Sequence, residues 1–185
     1  MTTRGFLASR VFSMMHSGIN RFFILYELEA PEVLDGPAYL ARLNAPSPWS
    51  QRIMPILGNF IRGGGVMAAR AGRGEGLTIA ALRLEKLPKD AAKLAADIVA
   101  LDGIAAVQVG ITDLARTSVP TKEKGMRKDE GVFAGLLLIE ALDETSLRDA
   151  LRKASEIAPE VVGDIGDAEV YQGLFALDVR IADFG

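Results

Sequence analysis

Tyr26–Leu34 reads YELEAPEVL and Ile139–Leu147 reads IEALDETSL. Set one above the other, Glu27 meets Glu140 and Leu34 meets Leu147, and an apolar run precedes each segment. The offset is 113 positions, Glu27 to Glu140. Self-similarity at a fixed spacing is the mark of a repeated structural unit, so the fold is read by working outward from these two segments.

Around the second, Val132–Leu142 is apolar on both faces, as a strand buried on both sides is, and Asp143 is placed to cap a helix. That helix carries Leu147, Ala150, Leu151, Ala154 and Ile157 on one face and stops at Pro159. A last strand is expected over Ala168–Val179. Upstream, Ile104–Asp113 alternates in the manner of a strand, Pro88–Leu101 has a helical apolar face through Ala91, Leu94, Ala95, Ile98 and Leu101, and Gly76–Glu85 is β-rich. The order β-α-β-β-α-β is ferredoxin-like: helices cover one face of an antiparallel sheet.

Around the first, Gly5–Met14 stands for Ile104–Asp113. A helix from Pro37, broken by Pro46 and Pro48, runs toward Arg62, and Gly65–Ala71 supplies a closing strand. The expected class is therefore α+β, with two ferredoxin-like units in tandem over residues 1–71 and 76–185. The first unit lacks its opening strand and helix; a full copy needs about 25 further residues ahead of Met1, the usual span of a strand plus a helix.

RFFILYELEAPEVL and GPAYLARLNAPSPW resemble segments of a bacterial family in the dimeric α/β-barrel superfamily, most of whose members have no established activity. The resemblance covers about residues 5 to 70. It implies two ferredoxin-like sheets packed face to face as a barrel, with the chain opening on the strand and helix that are missing here. An unfinished sheet edge leaves backbone groups unpaired, so a homodimer or a borrowed strand is expected.

Composition narrows function. The 185 residues are 49% hydrophobic and 24% charged, a globular balance, and the net charge of −3 argues against a nucleic-acid partner. The chain has no cysteine, which removes disulfides, thiolate nucleophiles and zinc–cysteine sites and fits a reducing cytoplasm. Its apolar runs are far shorter than the ~20 residues of a membrane span. No histidine pair or dense carboxylate run suggests a metal, and no cofactor is expected. The glycine runs at 62–65 and 71–76 lack the Lys-Ser/Thr of a phosphate loop and read as a turn and a linker.

Candidate site residues fall into three groups. His16 is the sole histidine, an acid-base candidate on a connection that is otherwise a solvated loop. Glu27 and Glu140 occupy matching places on apolar strands, either facing a low-dielectric interior as an acid-base pair or paired with an arginine such as Arg10 or Arg83. Tyr26, Tyr39, Arg42 and Trp49, with Asn44 and Arg52, offer rings and a guanidinium to a flat, oxygenated or carboxylated molecule. Asn44–Trp49 reads equally as a helix end, a turn and a new start with Ser47 as cap. The basic stretch Arg116–Lys128, with Glu123 alone opposing its charge, reads as a solvated loop or as a lid over an anion. The leading expectation is a small-molecule-binding protein, with cofactor-independent lyase, isomerase or cyclase chemistry on an aromatic or carboxylated metabolite. The alternative is a non-enzymatic interaction or assembly protein.

Overall fold

The computed structural model describes residues 3–16, 18, 20–163 and 168–180. Met1, Thr2 and residues 181–185, the outer ends of the two expected units, lie outside them, as do 164–167 between the last helix and the last strand.

The strands are β1 (Phe6–Met14), β2 (Phe22–Leu28), β3 (Phe60–Ile61), β4 (Gly65–Ala71), β5 (Thr78–Leu84), β6 (Ile104–Thr112), β7 (Glu130–Gly131), β8 (Gly135–Ala141) and β9 (Val170–Asp178). The helices are α1 (Pro37–Asn44), α2 (Pro48–Ile53), α3 (Ala91–Val99), α4 (Leu114–Thr117), α5 (Glu144–Ile157) and α6 (Pro159–Val162). Seven strands form one antiparallel sheet in the order β2-β1-β9-β5-β8-β6-β4, while β3 and β7 make a separate parallel ribbon. The molecule is thus α+β, but hydrogen bonds run through a single sheet rather than the two sheets that the resemblance implies.

Each element ends where its sequence makes it end. Asp143 accepts from Ser146 N at 2.8 Å and starts α5, and Asp90 accepts from Lys93 N at 2.9 Å and starts α3. Leu147, Ala150, Leu151 and Ala154 of α5 and Leu94, Ala95 and Ile98 of α3 are buried against Val107, Val109, Leu137 and Ile139. Burial of each leucine or isoleucine contributes about 1.5–3 kcal/mol. The other face holds a second cluster of Phe12, Ile79, Leu138 and Tyr171. The helix expected to run on toward Arg62 instead stops at a 3-10 turn, Met54–Ile56, because Pro55 has no N–H to donate.

The two Glu-bearing strands are paired in like registers. Phe6 pairs Leu28, one residue is skipped, and Ala8 pairs Glu27; likewise Ile104 pairs Ala141, one residue is skipped, and Ala106 pairs Glu140. On the other side of the same strands, β1 slips by one between Val11↔Phe175 and Phe12↔Gly173, and β6 slips by one between Val109↔Ala69 and Gly110↔Met67. Bulges fix register strongly, so β1 corresponds to β6, β2 to β8 and β9 to β4. The sheet also curls. Leu34, just beyond β2, lies against Gly64, just ahead of β4, although the two strands are at opposite ends of the order. Arg116, beyond β6, reaches Glu32 at 3.1 Å and Asp35 at 2.5 Å.

Candidate functional site

Pro37 at the first helical position presets α1, and Tyr39, Arg42 and Leu43 follow at the spacing of one helical face. Leu43 is buried. Ala45 leaves the helix, and Ser47 accepts from Ser50 N at 3.1 Å to begin α2 at Pro48. Across from α1, Phe6 of β1 stands between two tyrosines. Its ring is 5.4 Å from Tyr26, edge to face, and 5.2 Å from Tyr39. These residues open onto a cleft of about 440 Å³ between α1, the early part of β1 and the end of β9, whose far wall is Leu177 and Val179. Arg42, Ser47, Ser50 and Glu123 supply its polar rim.

Burial, with the Glu123 charge adding, raises the Tyr26 hydroxyl above the usual phenol range. Burial likewise raises Tyr39, while Arg62 and Arg127 pull the other way. Both rings therefore stay protonated at neutral pH and offer hydrogen-bond donors beside a guanidinium.

Three of the expected residues meet in this cleft: Tyr26, Tyr39 and Arg42. Trp49, Asn44, Arg52, His16, Glu27 and Glu140 do not line it. Trp49 is 59% exposed on α2 and is not among the cleft's lining residues. His16 sits in the turn after β1 with φ 52°, two-thirds exposed, its Nε2 2.8 Å from Glu144 Oε2. Glu27 is exposed and is clasped by Arg180, at 2.8 and 3.0 Å.

Glu140 has the opposite fate. It is fully buried, and Arg10 donates to both its oxygens at 2.7 and 3.0 Å. Gln108 Nε2 donates at 2.6 Å and Gly76 N at 3.0 Å. Four donors fill the roughly four acceptor positions of a carboxylate, so the Glu140 side chain is fully engaged within the fold and has no position left for a substrate. Glu27 and Glu140 hold equivalent register positions but do not face each other as an acid-base pair. Glu27 lies on an edge strand and Glu140 between two neighbours.

The basic stretch is folded and internally bonded over much of its length, which departs from a plain solvated loop. It contains α4 and a 3-10 turn, Lys124–Met126. Arg116 also bonds Asp113, and Arg127, nearly buried, bonds Glu123 and Glu130 and lies 3.9 Å over the Phe60 ring. Lys124 Nζ donates to the carbonyls of Thr117 and Val119. Arg116, Lys124 and Arg127 are thus spent within the chain, while Lys122 and Lys128 are exposed.

Sequence reasoning did not single out Phe6 and Glu123 for the cleft. Glu123, the lone acid among five bases, was the available signal. Phe6 carried none, since an aromatic at a strand start is ordinary core. Among the described residues no group of three or more His, Asp or Glu is placed to hold a metal, and no helix is long and apolar enough to cross a membrane. Comparison with protein-family models, with characterised proteins and with solved structures returns no match.

Proposed function

We propose that the protein consists of two ferredoxin-like units of the α/β-barrel type, acting in a reducing cytoplasm, and that it binds a small aromatic or carboxylated molecule at Tyr26, Tyr39 and Arg42. The carrying observation is the convergence of these three residues on one cleft with an aromatic floor at Phe6 and a polar rim. Such a mixture, mostly apolar with a few placed polar groups, is the usual composition of a small-molecule site. Arg42 would pair a carboxylate, and the two phenols would donate to ring or carbonyl oxygens. Turnover of the lyase, isomerase or cyclase kind would draw its acid from these hydroxyls, which burial keeps protonated. His16 and Glu27 take no part in this reading.

The test is calorimetric titration with benzoate, salicylate and phenylacetate. Binding in the micromolar range that Arg42→Ala weakens at least tenfold is the expected result. Affinity absent for all three acids, or unchanged in Arg42→Ala and Tyr39→Phe alike, would remove the reading.

A second reading, an interaction or assembly protein, is favoured by two sheet edges that have no ladder partner among the described residues and by the exposed apolar side chains Phe22, Ile24, Val66, Met67, Phe175 and Leu177 on β2, β4 and β9. Edges of this kind recruit strands, and a homodimer is the simplest closed assembly that uses them.

A further inference from the structure

Among the described residues β2 pairs only with β1, and β4 pairs only with β6. Their counterparts by register, β8 and β9, have a strand between them: β5 pairs antiparallel with both. An equivalent strand between β2 and β4 would join the two free edges and bring the sheet to eight strands. The curl that brings Leu34 against Gly64 already sets those edges toward one another.

The helix that follows β5 shows what else is missing. α3 packs across β4 and β6, with Leu94, Ala95 and Ile98 over Val107, Val109 and the partly buried Ala69 and Ala71. The positions equivalent to these four strand residues are Ser9, Val11, Phe175 and Leu177. Among the described residues no helix covers them, and Phe175 and Leu177 are 57% and 46% exposed. They form the β9 wall of the cleft and its continuation, so the cleft is open on the side where a helix belongs.

The turn into β1 is built like the turn that leaves α3. Phe6 N donates to Thr3 O at 3.1 Å as Ile104 N donates to Leu101 O at 3.3 Å. Gly5 and Gly103 both have positive φ, 89° and 75°. Gly5 O accepts from Glu29 N, and Gly103 O accepts from Leu142 N, each at 2.9 Å. Thr3–Phe6 therefore has the form of a helix-exit turn.

We infer that the slot between β2 and β4, with the face made by Ser9, Val11, Phe175 and Leu177, is a seat for one strand followed by one helix whose exit matches the Thr3–Phe6 turn. By analogy with β5 and α3 the strand has 7 residues and the helix 9, and the strand runs antiparallel to both neighbours. Size complementarity specifies the helix. Leu94 and Ile98 of α3 share one cluster with the small Ala69 and Ala71 of β4, so this helix must bring small side chains to the larger Phe175 and Leu177, because large facing large overpacks. The same helix closes the β9 side of the cleft and leaves its α1 side, with Tyr39 and Arg42, open. The inference rests on the two-unit reading above but not on the ligand.

The test extends the full chain. A copy of its own Gly76–Ala100 segment, carrying alanine at the copied positions of Leu94 and Ile98, is joined directly to Thr3, and a control carries the same copy after the C-terminus. Amide hydrogen exchange is read residue by residue, and mass in solution is read alongside. With the N-terminal copy, β2 and β4 amides that have no ladder partner should slow at least tenfold and the protein should run as a monomer. Edges that stay fast would overturn the inference, as would equal protection from the control. Protection already present in the unextended protein and dependent on its concentration would also overturn it, showing that a second copy covers the edges. Benzoate affinity measured on the same samples separates the two readings: its loss without any change in edge exchange counts against the cleft alone.

Discussion

Arg10 on β1 and Glu140 on β8 form a two-pronged ion pair in the sheet interior, at 2.7 and 3.0 Å, between residues 130 positions apart in sequence. Neither strand neighbours the other in the sheet order. The pair spans the face opposite the helices and ties the first half of the chain to the second.

Arg10→Ala should therefore cost far more than an exposed charge would. It strips the main partner from a carboxylate with no solvent access, and breaking such a pair costs about 3–5 kcal/mol. Urea unfolding measures it. The double change Arg10→Met with Glu140→Leu should recover most of the loss; a double variant as unstable as Arg10→Ala would contradict the assignment.

Gly76 closes the same network and leaves no room for a side chain. A Cβ there would stand 2.6 Å from both Ala141 N and Ala141 O, backbone atoms that cannot swing away. Gly76→Ala should lower stability by about 1–3 kcal/mol, the range for overpacking. Gly125→Ala, with nothing within 4 Å, is the matched control and should stay within about 0.5 kcal/mol of the parent.

Asp178 should titrate unusually low. Hydrogen bonds from the Arg180 guanidinium and backbone N–H hold its carboxyl down to about 2, against roughly 3.9 for an unperturbed aspartate. A carboxyl depressed in the folded state adds stability above its unfolded pKa, and that stability is lost as pH falls through the folded value. The window therefore runs from roughly pH 3.9 down to 2. Carbon-detected NMR titration reads it directly, and Arg180→Ala should return the midpoint toward roughly 3.9. An unmoved midpoint in that variant would mean that Arg180 is not the cause.

Asp143→Ala should cost about 1 kcal/mol, the usual loss of an N-cap. Asp143 accepts from Ser146 N and Ser146 Oγ, at 2.8 and 3.1 Å. Thermal unfolding is the check, and Asp143→Asn should retain most of the stability because it keeps an acceptor.

The second half was the more legible in sequence because its elements complete one another. Leu147, Ala150, Leu151 and Ala154 have a helical face and a sheet to put it on, so periodicity and burial agree. The offset of Glu27 to Glu140 likewise survives as identical pairing with β1 and β6. An arginine partner was legible, since Arg10 was one of two named for these glutamates and does bind Glu140, but which of the two would be buried was not. Local sequence places both on apolar strands, but burial depends on having a neighbour on each side, and β2 has one where β8 has two. Trp49 failed for a different reason. It is close in sequence to Tyr39 and Arg42, but Pro46 and Pro48 start a new helix whose direction turns the indole outward. Nor could local pattern show that β4 joins β6 and that β1 joins β9, since such pairings form between distant stretches of chain.

The bond ladder between β1 and β9 has a consequence for how the molecule is made. β9 is the final described strand, and Val11 pairs with Phe175. At about 5–20 residues per second, the β1–β2 ribbon is synthesised roughly 8–30 s before its partner strand is complete. Through that interval Phe22, Phe23, Ile24 and Leu25 have no sheet to join. Nascent chains should therefore depend on holding chaperones more than their modest length suggests, and slowing translation between β2 and β9 should lower the yield of native protein.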